Sequence, residues 1–148
     1  MKKKTLRIIA LVVMLTLTLA IAVSAAENAS DYIAATSAWI TRDGNTVEVN
    51  FYIIGTGTMD QLGLTCVDLY ESVPNGWTLV KTFDSTDSQY HNTMLASNTG
   101  GHAGYLTYSG SASKSYYATC YFYAEKNGGS DTIPQNTPTS HGTTPPGP

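Results

Sequence analysis

Val47-Glu48-Val49-Asn50-Phe51-Tyr52-Ile53-Ile54 decides the fold class. Val47, Val49, Phe51 and Ile53 alternate with Glu48, Asn50, Tyr52 and Ile54, the period of two that a strand with one buried face requires. Just upstream, Asp43-Gly44-Asn45 signals a tight hairpin, because glycine accepts the positive φ of primed turns. Tyr32 to Thr41 is therefore expected as the partner strand. Downstream, Gly55-Thr56-Gly57-Thr58 is expected to end the strand and Leu62 to Ser72 to supply the next. The phase of that third strand is open. Val67 and Leu69 share one face and Cys66 lies on the other with Leu64 and Asp68, so a buried Cys66 would turn Asp68 inward unless a bulge intervenes.

Pro74-Asn75-Gly76 is a turn signal, and Trp77 to Phe83 reads as a returning strand. Asp84 to Gly101 is polar and irregular, with a short helical turn expected near Tyr90 to Ala96. His102 to Ser109 resumes a strand. Ser115 to Lys126 then places Tyr116, Ala118, Cys120, Phe122 and Ala124 on one face and Tyr117, Thr119, Tyr121 and Tyr123 on the other. Asn127-Gly128-Gly129 turns the chain toward a short edge strand near Asp131 to Ile133. Residues 134–148 are rich in Pro, Thr and Gly, so they are expected to be disordered. Six or seven short strands without a long helical period predict an all-β fold, a single antiparallel β-sandwich over residues 26–133.

The first 25 residues read as a cleaved signal peptide. Lys2, Lys3, Lys4 and Arg7 precede an apolar run from Ile8 to Val23, and Val23-Ser24-Ala25 supplies the small residues that signal peptidase needs. The run is shorter than the ~20 residues of a spanning helix. A secreted, extracellular domain without stable membrane insertion is the expectation. Its cations would be Arg42, Lys81, Lys114 and Lys126 against eleven acidic residues, four against eleven, or minus seven. So acidic a surface neutralises few phosphates, which excludes nucleic acid as an expected partner.

Cys66 and Cys120 are the only cysteines. An oxidising compartment permits a Cys66–Cys120 disulfide; two buried free thiols are the alternative. Asp84, Asp87 and His91 fall in one polar loop, yet neither the spacing of a calcium loop nor that of a zinc site is present, so no metal or other cofactor is expected. Gly-x-Ser-x-Gly is absent, and no serine, histidine and aspartate stand at a catalytic spacing. The chain is expected not to be an enzyme. The ten tyrosines offer more. Tyr117, Tyr121 and Tyr123 form an outward row that can stack on sugar rings or meet a protein, as an alternative to simple strand packing. Trp39 and Trp77 carry the same two readings, with core or rim packing the favoured one.

The strand after the Gly/Ser turn, ending in Ala-Glu-Lys-Asn-Gly-Gly, resembles the penultimate strand of immunoglobulin-like and fibronectin type III domains, which implies that the fold class is a single immunoglobulin-like (fibronectin type III-like) antiparallel β-sandwich. In that pattern a corner tyrosine stands two residues before the cysteine; here Tyr117 stands three before Cys120 and Tyr116 four. Gly55-Thr56-Gly57-Thr58-Met59-Asp60, Leu69-Tyr70-Glu71, Leu79-Val80-Lys81-Thr82 and Lys114-Ser115-Tyr116-Tyr117-Ala118 are similar to an uncharacterised family of small secreted proteins from Gram-positive bacteria. That resemblance implies secretion and brings no activity with it. The expected function is a non-catalytic module that binds a cell-surface glycan or protein. The alternatives are a self-associating structural or matrix protein and, behind it, an unrecognised hydrolase.

Overall fold

The computed structural model describes residues 30–140; the expected signal peptide and residues 141–148 lie outside them. Six strands and one short helix follow in the order β1 (Ile33–Asp43), β2 (Thr46–Val73), β3 (Gly76–Asp84), α1 (His91–Met94), β4 (Leu95–Ser109), β5 (Tyr116–Lys126) and β6 (Gly129–Asn136). All strand pairs are antiparallel and all six strands join one curled sheet. The all-β expectation holds at that level. Two separate sheets do not form, because the segments expected as second and third strands are one strand, the 28-residue β2.

β2 runs through both layers of the molecule. Its first half pairs with β1 on one edge and β4 on the other; its second half stays with β4 as far as Gly63 and pairs with β5 and β3. The change of layer falls at Gly55-Thr56-Gly57-Thr58, where the pairing with β4 skips from Ile54 to Met59. The glycines expected to end a strand bend it instead. Val47, Val49, Phe51 and Ile53 from the first half meet Leu62, Leu64, Val67 and Leu69 from the second in one core. β5 adds Tyr116, Ala118, Cys120, Phe122 and Ala124, the inward set expected from its alternation. Each fully buried Phe or Leu contributes roughly 1.5–3 kcal/mol by leaving water.

Side chains join the two outer strands of this curl. Thr36 of β1 donates to Gln135 of β6 at 2.8 Å, and the Asp131 carboxylate accepts from the Asp31 N–H at 2.9 Å. The β5–β6 hairpin closes on Asn127 and Gly128, both with positive φ, the pattern of a type I′ turn. β6 runs past the boundary expected at residue 133. Thr137 is buried, its N–H donating to the Ala118 carbonyl at 2.8 Å, and Ser140 exchanges two backbone bonds with Tyr116. Composition pointed to disorder from residue 134, but Pro134 sits opposite Tyr121 on an outer strand, where proline is tolerated.

Tyr116 ties the layers together. Fully buried, it donates its hydroxyl proton to Glu71 at 2.6 Å and accepts from the Ser111 N–H at 2.8 Å. The Arg42 guanidinium lies 5.1 Å from the ring centre and donates to the carbonyls of Ser111 and Lys114. Burial, and then the bond to Glu71, raise this phenol above its ordinary pKa.

Candidate functional site

The outward side of β5 carries Tyr117, Tyr121 and Tyr123, all half-buried, on the face the alternation assigned. Their surroundings differ. Tyr117 stands opposite Tyr70 and stacks on it, with centroids 4.8 Å apart and planes 7° from parallel. Trp77 of β3 meets the same ring edge-on at 4.8 Å. These three rings form a cluster in which much of the Tyr117 face is already covered. Tyr121 lies between Cys66 on β2 and Pro134 on β6. Tyr123 lies between Gly63 and Thr132, and its hydroxyl donates to Glu125 at 2.6 Å, the bond that raises its pKa most.

The disulfide does not form, because both thiols are free. The register shifts between Leu64 and Cys66, so Thr65 is an extra residue that leaves Leu64 facing in and sends Cys66 out. Cys120 stays on the buried side of β5. The two cysteines occupy neighbouring strands but opposite faces of the sheet. Burial, then Asp68 and Asp84, push the Cys66 thiol up to about 11, while burial first and Cys66 second push Cys120 up to about 12. Both stay protonated at neutral pH, a poor state for a nucleophile.

Beside Tyr123 the surface opens into a cleft of about 530 Å³ lined by Gln61, Thr65, Ser85, Thr86, His91, Leu95 and Tyr123, within the range of small-molecule sites. Gly63 lies between Gln61 and Thr65, opposite both Tyr123 and Leu95. A Cβ at Gly63 would fall 1.9 Å from the Met94 carbonyl oxygen, so glycine is required for the helix end to lie against β2. The far wall is pinned by polar bonds. The Ser85 N–H donates to the Thr65 carbonyl at 3.0 Å, and His91 Nδ1 meets the Ser85 carbonyl at 2.9 Å. A carbonyl only accepts, so Nδ1 of His91 carries the hydrogen. Lys81 places its ammonium 5.4 Å from the Phe83 ring and 5.3 Å from the Tyr90 ring, beneath the same turn.

The loop carboxylates serve this turn. Asp84 accepts from the Thr86 N–H at 2.8 Å and the Thr86 hydroxyl at 2.7 Å, bonds that hold its pKa below the usual value. Asp87 accepts from the Gln89 N–H at 2.9 Å. Among the described residues no three His, Cys, Asp or Glu side chains converge on a metal-sized position. Every side chain lining the cleft is uncharged or an imidazole. Alternation found the tyrosine row; the cleft escaped it, since its walls come from a bulge, a turn and a helix start brought together by pairing.

A second outward surface was legible only as the wetter side of a strand. Trp39 is 41%, Tyr52 39%, Ile54 46% and Tyr105 59% exposed on β1, the first half of β2, and β4. Packing is the favoured expectation for Trp39, whose ring instead stands partly in solvent. The signal was available, because the hairpin at Gly44-Asn45 sets Trp39 opposite Asn50, on the outer side of β2.

No family model matches the sequence, and no curated protein matches it significantly. Among solved structures, the chain is similar to a family 76 glycoside hydrolase from a bovine Bacteroides thetaiotaomicron strain, at 14% identity and a TM-score of 0.33, over 76% of this chain and 21% of that one. It is also similar to a hypothetical protein from Pyrococcus horikoshii OT3, at 15% identity and a TM-score of 0.32, over 72% of this chain and 93% of that one. The chain thus spans about a fifth of the length of the hydrolase.

Proposed function

We propose that this chain is a secreted, non-catalytic module that binds a neutral cell-surface glycan along the β5 tyrosine row, with one sugar seated in the cleft beside Tyr123. The observation that carries this reading is the cleft's lining: the Tyr123 ring and the Leu95 side chain beside amide, hydroxyl and imidazole groups, without a carboxylate or an ammonium. A pyranose offers C–H faces to an aromatic ring and hydroxyls to neutral donors and acceptors, and this lining matches both. The net negative charge disfavours a polyanionic partner. Thiols held protonated, and His91 and His102 each bonded to a main-chain carbonyl, favour binding without turnover. The basic-then-apolar leader supports delivery outside the cell. A Tyr116 hydroxyl bonded to the Ser111 backbone five residues upstream is compatible with a distant immunoglobulin-like ancestry.

The test is retention of the purified domain on peptidoglycan, mucin and insoluble polysaccharides, beside the Tyr121→Ala/Tyr123→Ala double variant. Retention that the variant loses while keeping its far-ultraviolet spectrum is the expected result. Equal retention of both proteins, or retention of neither, would overturn the reading.

A further inference from the structure

We propose that the outward face of β1, the first half of β2 and β4 is a second, independent binding platform, and that its occupant is one extended chain of a neutral, β-1,4-linked polysaccharide. In-register pairing puts Trp39, Asn50 and Tyr105 side by side across three strands. Trp39 and Tyr105 are therefore two inter-strand steps apart, about 9.5 Å at the backbone. Tyr52 occupies the next outward position of the central strand, flanked by Ser37 and Ala103. Small neighbours flank its ring, so three exposed aromatic side chains share one outward face.

Chemistry on this face selects the occupant. No lysine or arginine lies on it; Glu48 is engaged by the Thr41 hydroxyl at 3.1 Å, and the exposed Asp43 stands at the turn end of β1. A polyanion would have no counter-charge. An apolar protein surface or second copy would cover the polar groups set among the rings: Ser37, Thr41, Asn50 and Thr107. The Asn50 amide already donates to the Thr41 hydroxyl at 2.9 Å, which fixes its orientation between Trp39 and Tyr105. Rings spaced by two strands, with an amide between them, match alternate sugars of a flat chain and the hydroxyls of the intervening one.

The two halves of β2 bury their inner sides in one core, so their outer sides point apart. This platform and the β5 row can thus hold different chains. The inference rests on the proposed glycan reading for its ligand class but uses none of the same residues.

Trp39 and Trp77 are the only tryptophans, one on each outward face. In Trp77→Phe protein all indole emission comes from Trp39; in Trp39→Phe protein it comes from Trp77. Titration with β-1,4-linked glucose and N-acetylglucosamine hexasaccharides should shift Trp39 emission saturably. The Tyr105→Ala change, added to Trp77→Phe, should weaken that response about tenfold. Retention on cellulose or chitin should fall by a similar factor in Trp39→Ala/Tyr105→Ala protein. An unmoved Trp39 with unchanged retention would overturn the platform and leave the β5 reading standing if Tyr121→Ala/Tyr123→Ala still loses binding. Dimeric sedimentation abolished by Trp39→Ala/Tyr105→Ala would overturn it in favour of a second copy. Loss of the β5 response alone, with Trp39 still titrating, would overturn the proposed cleft instead.

Discussion

The two halves of β2 carry the same alternation and do different things with it. From Val47 to Ile54 the register is unbroken, every second residue is buried, and the outward rings stand apart in solvent. From Gln61 to Val73 a bulge at Thr65 and a register shift after Leu69 break the count, and the outward rings lean on one another. Regular pairing makes a level surface. Irregular pairing makes relief: the bulge turns Cys66 out, and with Gly63 and the start of α1 it opens the cleft.

The largest expected effect lies where that relief is tightest. Gly63→Ala drives a methyl into the Met94 carbonyl, which should cost about 3 kcal/mol and close or distort the cleft. Urea denaturation reads it. A loss under about 0.5 kcal/mol, the level of an ordinary surface change, would mean that the helix end is not fixed by Gly63.

Tyr116→Phe comes next. It strips Glu71 and the Ser111 N–H of a shared partner in the one place where both layers are tied, for an expected loss of about 2 kcal/mol. The same region gives a pH dependence. Tyr116, Cys66 and Cys120 are acids whose folded pKa values are raised, the thiols to about 11 and about 12. Their contribution is complete below the unfolded values, about 8.5 for Cys and 10 for Tyr, and is lost as pH rises through the folded ones. The melting temperature should therefore hold near neutrality and fall above about pH 9. Constant melting through that alkaline range would contradict the burial assigned to these groups.

The smallest effects sharpen the contrast between the faces. Tyr117→Ala removes a stacked and an edge-on partner and should cost about 1 kcal/mol beyond the area lost. Tyr105→Ala removes a ring with 59% of its surface in water, and should change stability by no more than about 0.5 kcal/mol. Equal losses at both sites would erase the distinction between a packed cluster and an open platform.

How much of this was legible follows the same division. Strict alternation made β5 and the first half of β2 readable residue by residue, including which tyrosines face out. The bend at Gly55-Thr56-Gly57-Thr58 was read as an ending because glycine and threonine there serve either outcome, and only pairing with β1 and β4 selects the continuous strand. The cysteines were left open for a related reason: one inserted residue at Thr65 reverses the face of everything after it. The cleft was not legible. Gln61 and Tyr123 are distant in sequence from Ser85 and His91, and the four meet only after β2, β3, α1 and β5 have been placed.

The proposed glycan site is tested most directly by filling the cleft without disturbing the tyrosine row. Gln61→Trp puts an indole at an outward, half-buried position of β2, where the strand accepts aromatic residues. The account predicts a melting temperature within a few degrees of the parent protein and loss of retention on the polysaccharide that the parent binds. Full retention by a folded Gln61→Trp protein would contradict it.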